Sequence, residues 1–172
     1  RQCPIEKRMR VAVIGSGRLG LLVVQVLQTS GCELEIFGRN ELTLRFCERR
    51  GIRATPISEI DGGADRDIVV EYSGSPAGFD LAIRLLRPRG TLVLKSTYAQ
   101  KAQLDLAPVV INELIVQGSR CGPFPDALAA LAEGRIDVES MISRQLPLER
   151  GLEAFELAVD PRHIKILLKI LP

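Results

Sequence analysis

Tryptophan is absent from these 172 residues, histidine occurs once, and only two tyrosines and five phenylalanines are present. The core must therefore be aliphatic. Neither charge sign dominates: 23 Lys and Arg against 21 Asp and Glu leave +2. That removes the electrostatic case for nucleic acid, which calls for a clearly basic domain. No run of about 18 apolar residues occurs, so no membrane span is expected, and no signal peptide is visible. The four cysteines, Cys3, Cys32, Cys47 and Cys121, are scattered and form no CxxC pair. With His163 as the single histidine, no zinc-ligand spacing is present. A disulfide framework is not expected at this size, which points to a reducing compartment, the cytoplasm. Residue 1 is Arg rather than Met, so a processed product or a fragment of a longer protein is expected.

What remains is an ordinary folded composition, 46% apolar and 26% charged, which disfavours disorder. Short apolar runs alternate with helix-compatible stretches. Arg10-Val11-Ala12-Val13-Ile14 reads as a strand, Gly15 to Gly20 as a tight turn, and the following residues as a helix up to Ser30-Gly31. Strands are predicted at 34–37, 52–55, 67–72, 91–94 and 114–117, with helices at 41–50, 77–87 and 125–133. The pattern predicts an α/β fold of βαβ units, a Rossmann-type doubly wound parallel sheet of about six strands with helices on both faces. Residues 1–9 read as a linker, 10–140 as the dinucleotide-binding domain, and 141–172 as a C-terminal segment. That segment holds strands at 141–146 and 164–171 around a helix at 149–158. Its end, Ile164 to Leu171, is too apolar to stand without a cover.

The glycine motif Gly15-Ser16-Gly17-Arg18-Leu19-Gly20 carries the strongest chemistry. Gly15 permits the turn, Gly17 lets the backbone approach a pyrophosphate, and Gly20 lets the helix pack on its strand. The helix N-terminus then offers free N–H groups to the phosphates. The motif follows a strand and opens a helix, the context that distinguishes dinucleotide binding from a merely structural turn.

The end of the second strand bears on the choice of cofactor. An acid there would bind the ribose hydroxyls of NAD. Gly38-Arg39-Asn40 stands there instead. The missing acid leaves room for a 2′-phosphate, Arg39 suits it, and Asn40 can add an amide donor. NADP is therefore favoured over NAD. Glu35 serves as the acid only if the strand ends earlier than predicted. Tyr72-Ser73-Gly74 and Lys95-Ser96-Thr97 close the fourth and fifth strands, and strand C-terminal ends line the ligand crevice of such sheets. Tyr98 and Lys101 have YxxK spacing, which does not fit the YxxxK pair of short-chain reductases. His163 reads as a surface or capping residue.

In this order, these residues resemble the cofactor domain of the zinc-type medium-chain dehydrogenase/reductase superfamily, the alcohol dehydrogenase type. The resemblance spans about residues 8 to 171. It rests on the strand and glycine turn at 11–20, then Glu71-Tyr72-Ser73-Gly74-Ser75 and Leu86-Arg87-Pro88-Arg89-Gly90-Thr91-Leu92-Val93-Leu94. Gln117-Gly118-Ser119-Arg120, Ala154-Phe155 and Ile164-Lys165-Ile166-Leu167 complete it. The resemblance implies hydride transfer between a nicotinamide and an alcohol or carbonyl, with a zinc Lewis acid. It also implies that zinc, its ligands and most of the substrate pocket belong to a GroES-like domain absent here, so that this chain alone is inactive. The C-terminal strands would return to that domain. Lys165 matches a basic residue that contacts the cofactor pyrophosphate. Leu114 to Cys121 matches an edge strand that pairs with its twin, implying a homodimer. Two competing classes stay open: a non-catalytic redox-sensing module, and an adenosylmethionine-dependent methyltransferase, against which Gly38-Arg39 argues.

Overall fold

The computed structural model describes residues 3–98 and 101–170. Arg1 and Gln2 of the linker, Ala99 and Gln100 between Tyr98 and Lys101, and Leu171 and Pro172 of the C-terminal segment lie outside the described residues.

Strand β1 (Arg10–Ile14) is apolar at four consecutive positions, and Val11, Ala12, Val13 and Ile14 are all fully buried. A strand buried on both faces belongs at the centre of a parallel sheet, and β1 lies there. Five further strands complete the sheet: β2 (Glu33–Gly38), β3 (Arg53–Pro56), β4 (Arg66–Glu71), β5 (Leu86–Leu94) and β6 (Ile115–Gly118). The order is β3-β2-β1-β4-β5-β6, and every pairing is parallel. The chain winds outward from β1 in one direction and from β4 in the other. A crevice opens at this reversal, beyond the carboxyl ends of β1 and β4.

Alternation along the strands makes two cores. Val11, Val13, Ile68 and Val70 face α1 (Arg18–Gln28) and α2 (Glu41–Glu48), where Leu21, Val24 and Phe46 meet them. Ala12, Ile14 and Val69 face α3 (Pro76–Leu85), packing on Phe79, Ala82 and Leu85. The cores are aliphatic apart from a few phenylalanines, as the composition requires. Cys47 is fully buried in the first core, and burial pushes its thiol up to about 11. It is packing material rather than a nucleophile. The four cysteines are free thiols.

Some element boundaries differ from the sequence reading. The helix predicted at 77–87 ends at Leu85, because Leu86 already pairs with Arg66 at the start of β5. Arg87-Pro88-Arg89-Gly90 then bulges before the ladder resumes at Thr91–Ile68, with Arg89 at φ 63°. Proline supplies no ladder N–H, so the strand gives way there instead of the helix continuing. A short helix, α4 (Ala107–Ile111), was not expected and precedes β6. α5 (Phe124–Ala132) follows β6, exposing most of its surface.

The C-terminal segment forms its own parallel pair, β7 (Ile142–Pro147) and β8 (Lys165–Lys169), joined through α6 (Gly151–Val159). It is tied to the first core by Met141 and Ile164. Gln25 of α1 adds two bonds to Asp137: its Oε1 accepts the Asp137 N–H at 2.7 Å and its Nε2 donates to the Asp137 carbonyl at 3.3 Å. Large apolar side chains stay exposed on this segment, among them Leu152, Phe155, Val159 and Ile170. Among the described residues no helix is long and apolar enough to cross a membrane.

Candidate cofactor site

The turn after β1 is set by two contacts that glycine alone permits. Gly15 has φ 109°, and a Cβ there would lie 2.9 Å from the Tyr72 carbonyl carbon. A Cβ on Gly20 would lie 1.9 Å from the Gly15 carbonyl oxygen, so helix α1 could not seat on the turn. Gly17 differs: it precedes α1 with nothing within 4 Å of its would-be Cβ. Packing does not demand glycine there, and the open space is what a ligand approaching the backbone needs. No side chain caps α1, so its first N–H groups face the crevice unpaired.

The end of β2 packs against this turn. A Cβ on Gly38 would lie 2.0 Å from Ser16 Oγ. Thus any side chain, acidic or not, is excluded at 38 by packing. Ser16 is buried and accepts a 2.7 Å hydrogen bond from Thr43 Oγ1, which binds the glycine turn to α2. Asn40 caps α2, its Oδ1 accepting from the Leu42 N–H at 2.9 Å, while its Nδ2 donates to the Pro161 carbonyl at 2.6 Å. Its amide donor is thereby engaged. Arg39 is exposed, and among the described residues nothing pairs with it.

A cleft of about 330 Å³ runs between these parts. Of the residues singled out in the sequence, Gly15, Ser16, Gly17, Arg18, Gly38, Arg39, Asn40, Tyr72 and Ser73 line it. Leu19 and Gly20 lie behind it on α1, with Leu19 exposed and Gly20 buried. Gly74, Lys95, Ser96, Thr97 and Lys165 are not among its lining residues. Lys95 Nζ instead donates to the Ser119 carbonyl and hydroxyl, both at 3.1 Å, and sits 5.5 Å from the Tyr72 ring centre. Ser96 Oγ accepts from the Gly74 N–H at 2.8 Å. These residues brace the ends of β4, β5 and β6 against one another. Lys165 is exposed at the start of β8.

Glu35 is excluded from a ribose-binding role. β2 runs three residues past it, and its buried carboxylate pairs with Arg66 at 2.7 Å and Arg53 at 3.0 Å. It lines a separate cavity with Arg10, Asp61 and Asp65.

The sequence reading missed the opposite wall. Ala158, Val159, Asp160, Pro161, His163 and Ile164, from the end of α6 and the turn to β8, line the same cleft. His163 is therefore a half-buried wall residue rather than a surface histidine, and its Nδ1 is buried without a partner. Asp160 is drawn down to about 2, first by its side-chain hydrogen bond with Arg162 and then by the Arg162 N–H. Burial raises Tyr72, and burial together with the Glu71 and Asp80 charges raises Tyr98, so both phenols stay protonated at neutral pH. Among the described residues no group of three His, Cys, Asp or Glu side chains could hold a metal ion.

The sheet order, the glycine turn and the crevice define a Rossmann-type cofactor-binding domain. The profile of the zinc-binding dehydrogenase family matches residues 19–133. The chain belongs to that family and corresponds to the cofactor-binding domain of the medium-chain dehydrogenase/reductase superfamily. It is 28% identical to sorbitol dehydrogenase of Gallus gallus over 178 residues, covering 95% of this chain and 50% of that protein. It is 25% identical to D-arabitol-phosphate dehydrogenase of Enterococcus avium over 184 residues, covering 98% and 52%. A zinc-binding dehydrogenase of Sinorhizobium meliloti 1021, solved bound to NADP, superposes with a TM-score of 0.85 at 25% identity, covering 97% of this chain and 54% of that one. The chain thus spans about half the length of the curated relatives it matches.

Proposed function

We propose that this chain binds NADP(H) and forms the cofactor half of a zinc-dependent alcohol or polyol dehydrogenase. The observation that carries the choice of NADP is Arg39, an unpaired guanidinium at the end of β2 beside the open N-terminus of α1. The α1 N–H groups receive the pyrophosphate above Gly17. Arg39, with Arg18 on the same cleft wall, takes the 2′-phosphate through charge-assisted hydrogen bonds. The NADP-bound relative supports this reading. NAD is the second choice.

In the full enzyme the nicotinamide exchanges hydride with an alcohol or carbonyl. Zinc, for which no ligand set exists among the described residues, belongs with a catalytic domain outside these 172 residues, and this chain alone is inactive. Residues 10–140 act as the dinucleotide domain, and 141–172 returns toward the catalytic domain. The exposed Leu152, Phe155 and Ile170 suit burial there. Lys165 swings to the pyrophosphate once that domain is in place. Gly74 and Lys95-Ser96-Thr97 shape the nicotinamide end of the crevice. The compartment is the cytoplasm, which suits four free thiols.

We infer a homodimer through β6. Among the described residues that strand pairs only with β5, and Ile115 and Val116 are 56% and 42% exposed on it. A bare apolar edge is removed by pairing with its two-fold copy.

Calorimetric titration with NADPH and NADH tests the cofactor reading. NADPH should bind more tightly, and Arg39→Ala should weaken it by about tenfold or more while leaving NADH unchanged. Tighter binding of NADH, or an Arg39→Ala variant with unchanged NADPH affinity, overturns the role of Arg39.

A further inference from the structure

The second strand carries no acid at its end, yet the cleft beside that end is not free of carboxylate. Asp160 lines it, and it is the one acidic side chain among the lining residues. It arrives from the turn between α6 and β8. The turn is held in place by the 2.6 Å bond from Asn40 Nδ2 to the carbonyl of Pro161, the residue next to Asp160. The carboxylate therefore lines the same cleft as Gly38, Arg39 and Asn40 at the end of β2, and its chain neighbour is bonded to Asn40.

The local geometry keeps this acid ionised and in place. Asp160 Oδ1 accepts the Arg162 N–H at 2.9 Å, closing a short side-chain turn. Arg162 Nε reaches the two carboxylate oxygens at 3.0 and 2.9 Å, and Nη2 reaches Oδ2 at 2.5 Å. The two partners differ in freedom: the Asp160 side chain is 20% exposed and the Arg162 side chain 84%. The acid is fixed, whereas the guanidinium stands in solvent and can turn away at little cost.

We propose that Asp160 and Arg162 form a second cofactor-discriminating pair, in which Asp160 accepts a ribose hydroxyl of the unphosphorylated dinucleotide and Arg162 takes the 2′-phosphate of the phosphorylated one. This rests on the dinucleotide reading of the cleft. A carboxylate is an acceptor-only group and suits a pair of hydroxyls. It repels a phosphate unless a cation stands between them, and Arg162 is a cation already bonded to that carboxylate. Arg39 and Arg18 supply the remaining positive charge, and His163 is the other titratable group on this wall. The pair therefore lets one cleft accept both cofactors, and Asp160 and Arg162 join Arg39 in setting the ratio.

Titration of this chain and two variants with NADH and NADPH tests the proposal. 5′-ADP and adenosine 2′,5′-bisphosphate serve as probes of the adenosine half alone. Asp160→Asn keeps the Oδ1 acceptor that closes the turn and removes only the charge. It should weaken NADH and 5′-ADP by about tenfold and leave the 2′-phosphorylated pair equal or tighter. Arg162→Ala should do the reverse, weakening NADPH and adenosine 2′,5′-bisphosphate. Equal shifts for all four ligands in both variants would reduce the pair to a structural brace and overturn the proposal, as would no shift in either. If the unaltered chain binds none of the four, the cofactor reading falls first and this inference with it. Binding with an unaltered ratio sinks the inference alone.

Discussion

The side-chain amide of Asn40 and the backbone carbonyl of Pro161, 121 positions apart, are joined by a 2.6 Å hydrogen bond. One residue thus caps α2 through its oxygen and holds the far wall of the cleft through its nitrogen. Asn40→Asp keeps the cap and loses the donor, whereas Asn40→Ala loses both. Asn40→Ala should cost about 1 kcal/mol of stability in urea denaturation, and Asn40→Asp clearly less. Both should weaken NADH and NADPH together, because the loop is no longer held. A variant with normal cofactor binding would show that the wall stands without this bond.

Gly17 and Gly20 belong to the same turn but should respond differently to alanine. Gly20→Ala sets a methyl 1.9 Å from the Gly15 carbonyl oxygen, and neither backbone can yield, so a loss of about 3 kcal/mol is expected. Gly17→Ala meets nothing within 4 Å and should cost less than about 1 kcal/mol. Its methyl stands where the pyrophosphate approaches, and dinucleotide affinity should drop by more than about tenfold. Thermal melts and calorimetry on the two variants separate these effects.

Acid should loosen the C-terminal segment through Asp137. Its carboxyl is held below the ordinary value, first by the Ser140 hydroxyl and N–H, and also by the Arg50 guanidinium. A carboxyl with a lower value when folded contributes stability that is fully present above its unfolded value of about 3.9. That stability is lost as the pH falls through the folded value. The urea midpoint of the unaltered chain should fall as the pH is lowered below about 4. Asp137→Asn should begin lower and fall less. Parallel pH curves for the two proteins would remove Asp137 from the acid response.

The edge of the sheet offers a test of assembly. Val116→Lys places a charge at the middle of β6, where Val116 pairs with Leu92 on one side and, among the described residues, faces no strand on the other. Sedimentation should show a dimer for the unaltered chain and a monomer for the variant. A variant that stays dimeric would move the interface elsewhere.

The parallel sheet and the glycine turn were legible in the sequence because each depends on local signals. Val11 to Ile14 form an apolar run, Gly15 to Gly20 a turn, and the residues beyond them a helix with a buried stripe. The bulge at 87–90 was not legible, since a proline and a glycine stop a helix and break a ladder alike. The role of Gly38 was only half legible. The sequence suggested space for a phosphate, and the structure adds that Ser16 Oγ allows no side chain there.

The amino-acid order by itself determined the layered α/β architecture, the phosphate-binding turn and the absence of an acid at the end of β2, because strand and helix periodicity and glycine geometry act over a few residues. Only the tertiary structure decided what faces that missing acid. Asp160 and His163 lie more than 120 residues from Arg39 along the chain, with no shared motif. They enter the cleft because Met141 and Ile164 anchor the C-terminal segment on the first core. Such proximity comes from long-range packing, which no local pattern encodes.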